Sequence, residues 1–323
     1  MKNLKKLPFI LSIISFLTLF TSANAEIKVV TSIKPIHSLA SYLMDGINKP
    51  DLIVDGYSSP HGFALKPSHA IMLQEADIIF YVGEGLEIFL EKPLKSIAKK
   101  AEKIELMKIK GLQKLKFRER NIFDDHDDHG HEEDGHKEDD HDDHGHDEDG
   151  HEGHAHGEYD PHIWLDPENA KVILNEMVKH LIENDEKNAS IYKNNLNKAL
   201  KDIDRLVKNV KSELNKDFKS IVFHDAYQYF EVRFNVTVLG AFTVNTDVMP
   251  GAEQLSEIRE IIEHDKVSCI FSEPQFNPDI ISAVAKDMNI KTGVLDPLGA
   301  TIDPGKDLYF DLIKNMSKSF KGC

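Results

Sequence analysis

The stretch ENAKVILNEMVKHLIENDEKNASIYKNNLNKALKDIDRLVKNVKSELNKDF, Glu168–Phe218, contains neither glycine nor proline. Two helices fit it, roughly Pro167–Glu183 and Lys187–Asn215. In the second, Ile191, Leu196, Ala199, Leu200, Ile203, Leu206, Val207, Val210 and Leu214 recur at helical spacing. At a rise of 1.5 Å per residue this helix runs about 43 Å, beyond the usual globular length. Short β-branched runs alternate with amphipathic stretches on either side of it. Upstream, strands are expected at Glu26–Thr31, Leu52–Asp55, Ile78–Val82 and Lys103–Met107, with helices at Ile36–Met44, Pro67–Ala76 and Leu86–Lys100. Downstream, strands are expected at Ser220–His224, Val236–Phe242, Ser268–Ser272 and Ile290–Leu295. Helices are expected there at Ala226–Arg233, Glu253–His264, Pro278–Met288 and Lys306–Phe320. Alternating β and α units imply parallel sheets with helices on both faces. A helix this long between two α/β halves is a stiff connector that restricts them to small relative movements.

The chain has 323 residues. Lys2, Lys5 and Lys6 precede the uncharged run Leu7–Phe20, and Ala23-Asn24-Ala25 offers a small-x-small cleavage site before Glu26. This is the layout of a secretory signal peptide, 1–25, cleaved after Ala25, and too short for a spanning helix of ~20 residues. No cysteine lies near the cleavage site, so a soluble exported protein is expected rather than a lipid-anchored one. The remaining length suggests about two domains of ~150 residues each. The two cysteines, Cys269 and Cys323, form an isolated even pair, which in an exported protein favours a disulfide. Without CxxC spacing they make a poor zinc site.

Between Asp124 and Glu158 stand ten histidines among seventeen acidic residues and one lysine, a local charge of −16 that equals the net charge of the whole chain. The unit DDHDDHGHEEDGH at Asp124–His136 is nearly repeated as DDHDDHGHDEDGH at Asp139–His151. Neutral imidazoles beside carboxylates offer many ligands to a divalent transition metal. With no apolar residue between Phe123 and Ala155, the segment cannot bury a core and is expected to be disordered without metal.

Seven histidines lie outside that segment, and their positions sort them. His61 follows the strand ending at Asp55, in the loop SSPHGF. His224 sits at the carboxyl end of SIVF, and Asp296 at the carboxyl end of KTGVL. In open parallel sheets ligands bind beyond the carboxyl ends of the strands. His162, in DPHIWLDP just past the His-rich segment, is the fourth candidate. Three imidazoles and one carboxylate make a tetrahedral site suited to Zn²⁺, whereas Mn²⁺ prefers more oxygen. His37, His69, His180 and His264 fall on helices or at their ends, where structural or solvated roles are expected. Glu273 in SEPQF is expected to support or cap rather than bind, and Asp160 and Asp166 to shape the loop or orient His162.

The stretches SPHGFALKPSH, DPHIWLDPENA, FHDAYQYFE, TDVMPGAEQLSEIRE, CIFSEPQFNP and LDPLG, spanning Ser59 to Gly299, resemble the ZnuA-type zinc-binding proteins. These are the periplasmic components of bacterial zinc ABC transporters. The resemblance puts the family's metal-binding histidines on His61, His162 and His224, its carboxylate on Asp296, and its disulfide on Cys269 and Cys323. It implies two similar α/β lobes with parallel sheets flanked by helices, joined by one long rigid linker helix, with the metal between them. The expected partition is an N-terminal lobe 26–185 containing the loop 124–158, a linker helix 186–216 and a C-terminal lobe 217–323. Manganese-binding relatives usually carry Glu where this chain has His224, which favours zinc. Some zinc members carry Glu immediately before the first ligand. Here that residue is Pro60, so Asp296 or a water must complete the coordination.

The expected function is therefore capture and delivery: high-affinity Zn²⁺ binding in the periplasm, further zinc held more weakly on the His-rich loop, and handover to a membrane permease with its ATPase. An accessory periplasmic zinc chaperone is a further candidate partner. Neither nucleic acid nor a second copy of the chain is expected. The rival readings are a zinc hydrolase, a manganese or other metal carrier, and a soluble metal buffer. The hydrolase would need an open coordination position and a base. Glu273 is its one plausible base, and no HExxH or GxSxG occurs.

Overall fold

The computed structural model describes residues 26–83, 85–118, 120–122, 158–214, 218–244, 246 and 249–323. The expected signal peptide 1–25, the His-rich segment up to 157 and the end of the expected linker at 215–216 lie outside the described residues.

In the first half, β1 (Val29–Ile33), α1 (Lys34–Leu43), β2 (Asp51–Val54), α2 (Pro67–Glu75), β3 (Ile78–Tyr81), α3 (Glu91–Ser96) and β4 (Glu102–Glu105) alternate. Then α4 (Pro167–Asn184) and α5 (Ala189–Glu213) follow, separated by a 3-10 turn at Glu186–Asn188. The second half is β5 (Lys219–His224), α6 (Gln228–Phe234), β6 (Thr237–Thr243), α7 (Ala252–His264), β7 (Cys269–Ser272), α8 (Asp279–Met288), β8 (Lys291–Val294) and α9 (Leu308–Gly322). The strands form two four-stranded parallel sheets in the orders β2-β1-β3-β4 and β6-β5-β7-β8, so the same topology is used twice. Within the second half, Asn235 after α6 and Asn289 after α8 take left-handed φ of 55° and 49°. Asn tolerates that conformation better than most residues, and it turns the chain back towards β6 and β8.

One expected helix is much shorter than its pattern. Instead of a single helix Leu86–Lys100, a 3-10 turn at Ile88–Leu90 precedes α3. Pro93 explains the break. It has no N–H to give to an interior helical bond, so it is tolerated only in a first turn, and α3 begins at Glu91 to keep it there.

In α5 the buried face is Tyr192, Ala199, Ile203, Leu206 and Val210. Ile191, expected to be on that face, is exposed, because the spacing extrapolates back from Ala199 by seven to Tyr192. The Tyr192 hydroxyl then donates to Asp185 Oδ2 at 2.8 Å. The connector is packed rather than bridging. One apolar cluster includes Leu39 and Phe80 of the first half, Ile173 and Leu174 of α4, Ile203 and Val210 of α5, and Val222, Phe271 and Phe320 of the second half. A smaller cluster, with Phe223, Phe242, Ile258 and Val284, occupies the other side of the second sheet under α7 and α8. Each aliphatic side chain fully buried in these clusters contributes ~1.5–3 kcal/mol, so separating the halves would be costly. No described helix is long and apolar enough to cross a membrane.

Cys269 on β7 is bonded to Cys323, with Cα atoms 5.6 Å apart, an ordinary span for a disulfide. The bond passes over Gly293 of β8, where a Cβ would meet the Phe271 ring at 2.5 Å and Cys323 Sγ at 3.2 Å. It closes a loop of 54 residues, worth about 4 kcal/mol in the chain-entropy account. A Cys269→Ser/Cys323→Ser chain should lose ~2–4 kcal/mol of unfolding free energy in urea melts.

Candidate metal centre

His61, His162 and His224 come together although 163 residues separate the first from the last. Their ligand atoms all lie within 4.8 Å of one another, and their ring centroids are 5.0 to 5.7 Å apart. His61 comes from the turn after β2, His162 opens a 3-10 turn at Ile163–Leu165, and His224 is the last residue of β5. Nitrogens within that limit reach a common ion at the ~2.0–2.1 Å of a Zn–N bond with at most a small inward movement.

Two of the three rings are held from behind by carboxylates. His162 Nδ1 lies 2.7 Å from Asp160 Oδ1, which also accepts the His162 backbone N–H at 2.9 Å. When Asp160 is ionised the ring proton sits on Nδ1, which leaves Nε2 as the nitrogen able to bind an ion. His224 Nδ1 is 3.2 Å from both oxygens of Glu273, and Tyr227 donates its hydroxyl to Glu273 Oε1 at 2.9 Å. Asp166 does something different. It caps α4 by accepting the Glu168 N–H at 2.9 Å and takes both arms of Arg233 at 2.6 and 2.7 Å.

Burial dominates the electrostatics. It drives His162 well below its ordinary 6.5, helped by the charge of His224, so this imidazole is neutral at physiological pH. His224 is also desolvated, but Glu273, with Asp225 and Asp160 beyond it, outweighs the burial and holds it above 6.5. Burial pushes Asp160 up to about 7, against the His162 N–H and the positive charges of His224 and Arg118.

Asp296 is placed differently from the histidines. Its Oδ1 accepts from Gln275 Nε2 at 2.9 Å, Leu298 N–H at 3.2 Å and Gly299 N–H at 2.9 Å. Its Oδ2 is buried and has no hydrogen-bond partner among the described residues. It is not in the group whose ligand atoms share the 4.8 Å limit. The cavity beside the three rings measures about 10 Å³ and is walled by Pro60, Trp164, Phe276, Pro297 and Leu298. That is room for about one water-sized sphere.

The other histidines have other work. His37 Nε2 is 3.1 Å from Pro50 O, and His69 Nδ1 accepts the Lys66 N–H at 3.1 Å at the start of α2. His264 is 89% exposed. His180 forms a second group with Glu102 and Glu183, but it is half-exposed and already engaged by Glu102 at 2.7 Å and Glu176 at 3.5 Å.

Sequence reasoning missed the layer behind Asp160. Arg118 donates to Asp225 Oδ1 at 2.9 Å and grips Glu231 at 3.1 and 2.8 Å. Burial raises Asp225 to about 6 and Glu231 to about 7, against the pull of the guanidinium. Asp225 directly follows His224, and Arg118 stands in the basic run that precedes the acidic segment; those were the signals available. Arg118 belongs to a strap that pairs at Lys116 with Tyr159 and at Ile122 with Gly240. A Cβ at Gly240 would lie 2.7 Å from the Asn121 carbonyl, so only glycine admits this close approach. The described residues on either side of the His-rich segment thus lie at the edge of the second sheet, at Ile122, and beside Lys116, at Tyr159.

A family described as "Zinc-uptake complex component A periplasmic" matches residues 29–323. The high-affinity zinc uptake system protein ZnuA of Brucella abortus is 43% identical over 335 aligned residues, covering 100% of this chain and 99% of that protein. Its namesake in Yersinia pestis is 37% identical, covering 93% and 92%. A crystal structure of ZnuA superposes with a TM-score of 0.71 at 22% identity, covering 91% of this chain and 99% of that one, which is agreement in fold. The match from Val29 to the last residue, together with these full-length relatives, shows that the chain belongs to the ZnuA family.

Proposed function

We propose that the protein captures one Zn²⁺ tightly in the periplasm and hands it to the permease of a zinc ABC transporter, whose ATPase drives import. The observation that carries this is one ligand atom from each of three imidazoles, all within 4.8 Å of one another, beside a 10 Å³ cavity. His61, His162 and His224 are the ligands, the latter two through Nε2. Asp296, through its buried Oδ2, or a water is the fourth. The names of the full-length relatives, high-affinity zinc uptake proteins, support zinc as the cargo. The small cavity beside three imidazoles suits an ion, which favours a carrier over a hydrolase. Lobes 26–185 and 217–323 with the linker 186–216 are its working parts. The leader is removed after Ala25, and the carrier acts as a monomer, with a periplasmic zinc chaperone as an optional donor. The His-rich segment raises the local zinc supply; it binds more weakly because it must become ordered to do so.

Competitive zinc titration of the full chain and of one lacking residues 124–157 tests this. The full chain should take several zinc ions and the shortened one a single tight ion. In both, the first equivalent should change the emission of Trp164, the chain's one tryptophan, whose ring lies 5.3 Å from that of His162. Loss of the tight site together with the segment, or a silent Trp164, would overturn the reading.

A further inference from the structure

Lys34, the first residue of α1, breaks two local rules at once. It is 3% exposed, and its ammonium sits at the positive end of a helix that has no acidic residue in its first turn. Burying a poorly compensated charge is costly, and an apolar side chain of similar size would fill the space without that cost. Its nearest partners are the Ala300 carbonyl at 3.1 Å and the Asp55 carboxylate at 3.6 Å, the latter 60% exposed. Ala300 is 266 residues away in sequence, in the loop after β8 that carries Asp296 and supplies Pro297 and Leu298 to the cavity wall. The hydrogen bond of the buried ammonium is therefore made only while that second-half loop rests on the first half, Asp55 lying at ion-pair distance on the rim. Trp164 pins the same loop, donating Nε1–H to the Pro297 carbonyl at 2.8 Å.

We infer that Lys34 is a positioning residue that latches the 296–300 loop across the ion cavity and so sets how long the bound ion stays. An ion can leave only through a gap in the wall, and moving this loop strips the ammonium of its carbonyl. Asp55, on the exposed rim, then receives the charge, so the open state is accessible without stranding a cation. The inference rests on the zinc reading above.

The test is release of one equivalent of zinc from the full chain into excess chromophoric chelator, followed by stopped flow. Lys34→Met should accelerate the slow, tight-site phase by about tenfold, the scale of one charge-assisted hydrogen bond. Lys34→Gln, which keeps a donor, should accelerate it less, and association rates should not change. A purely structural Lys34 would lower the melting temperature of the metal-free protein and leave release within about twofold of wild type; that result overturns the latch. Should Lys34→Met fail to fold, a folded Lys34→Gln chain releasing zinc at the wild-type rate overturns it equally. A slow phase that survives in His224→Ala would instead strike the zinc reading, and the latch with it.

Discussion

His224→Ala should abolish tight zinc binding while leaving the fold in place. A four-ligand zinc site is worth ~10–16 kcal/mol at neutral pH, or about 3 kcal/mol per ligand, so affinity should fall roughly a hundred- to a thousandfold. The backbone of β5 will hold, because it is paired on both sides, with β6 and with β7. The side chain ends in the cavity rather than the core, so far-UV circular dichroism of the metal-free protein should not change. The rise in melting temperature that zinc gives the wild type, a consequence of binding only the native state, should vanish. His180→Ala is the matched control. His180 is an imidazole among carboxylates on the flank of α4, and its loss should leave zinc affinity where it was. Calorimetry with a competing chelator reads both. Equal losses in the two variants would mean that the tight ion sits elsewhere.

The architecture was legible in the chain because its signals are local. The α/β alternation and the glycine-free run of α4 and α5 follow from residues close in sequence. The convergence of His61 and His224 follows from one topological rule about strand ends. His162 lies on no strand, and its loop motif alone marked it. What stayed hidden depends on partners distant in sequence. Whether Asp296 points its free oxygen at the ion depends on Gln275, Leu298 and Gly299, which take the other oxygen. Lys34 precedes the expected helix Ile36–Met44 and nothing local marks it; only the fold brings Ala300 to it. Arg118 likewise acquires meaning only when Asp225 and Glu231 close around it. Pro93 was the exception: the reason for the short α3 was visible in the sequence, yet the apolar pattern of Leu86–Lys100 outweighed it.

Glu273→Gln should weaken zinc by about 10–100-fold, the usual cost of losing the group that orients a metal-binding imidazole, and should also change how binding depends on pH. His224 is held above 6.5 chiefly because Glu273 overcomes the effect of burial. Below that raised pKa the ring carries a proton that zinc must displace, costing up to about tenfold in affinity per pH unit. Wild-type affinity should therefore begin to fall above pH 6.5 as the solution is acidified. His162, which burial keeps well below 6.5, adds nothing to the slope until the medium is far more acidic. Without the negative charge at position 273, burial prevails, the His224 pKa drops, and the decline starts at lower pH. Plotted against pH, the two affinities should lie far apart at about pH 8 and draw together towards about pH 5.5, as the wild type loses what the variant never had. Apparent dissociation constants from chelator competition across that range decide the matter. Two parallel curves would show that Glu273 orients the imidazole without governing its proton, and the electrostatic half of the argument would have to be withdrawn.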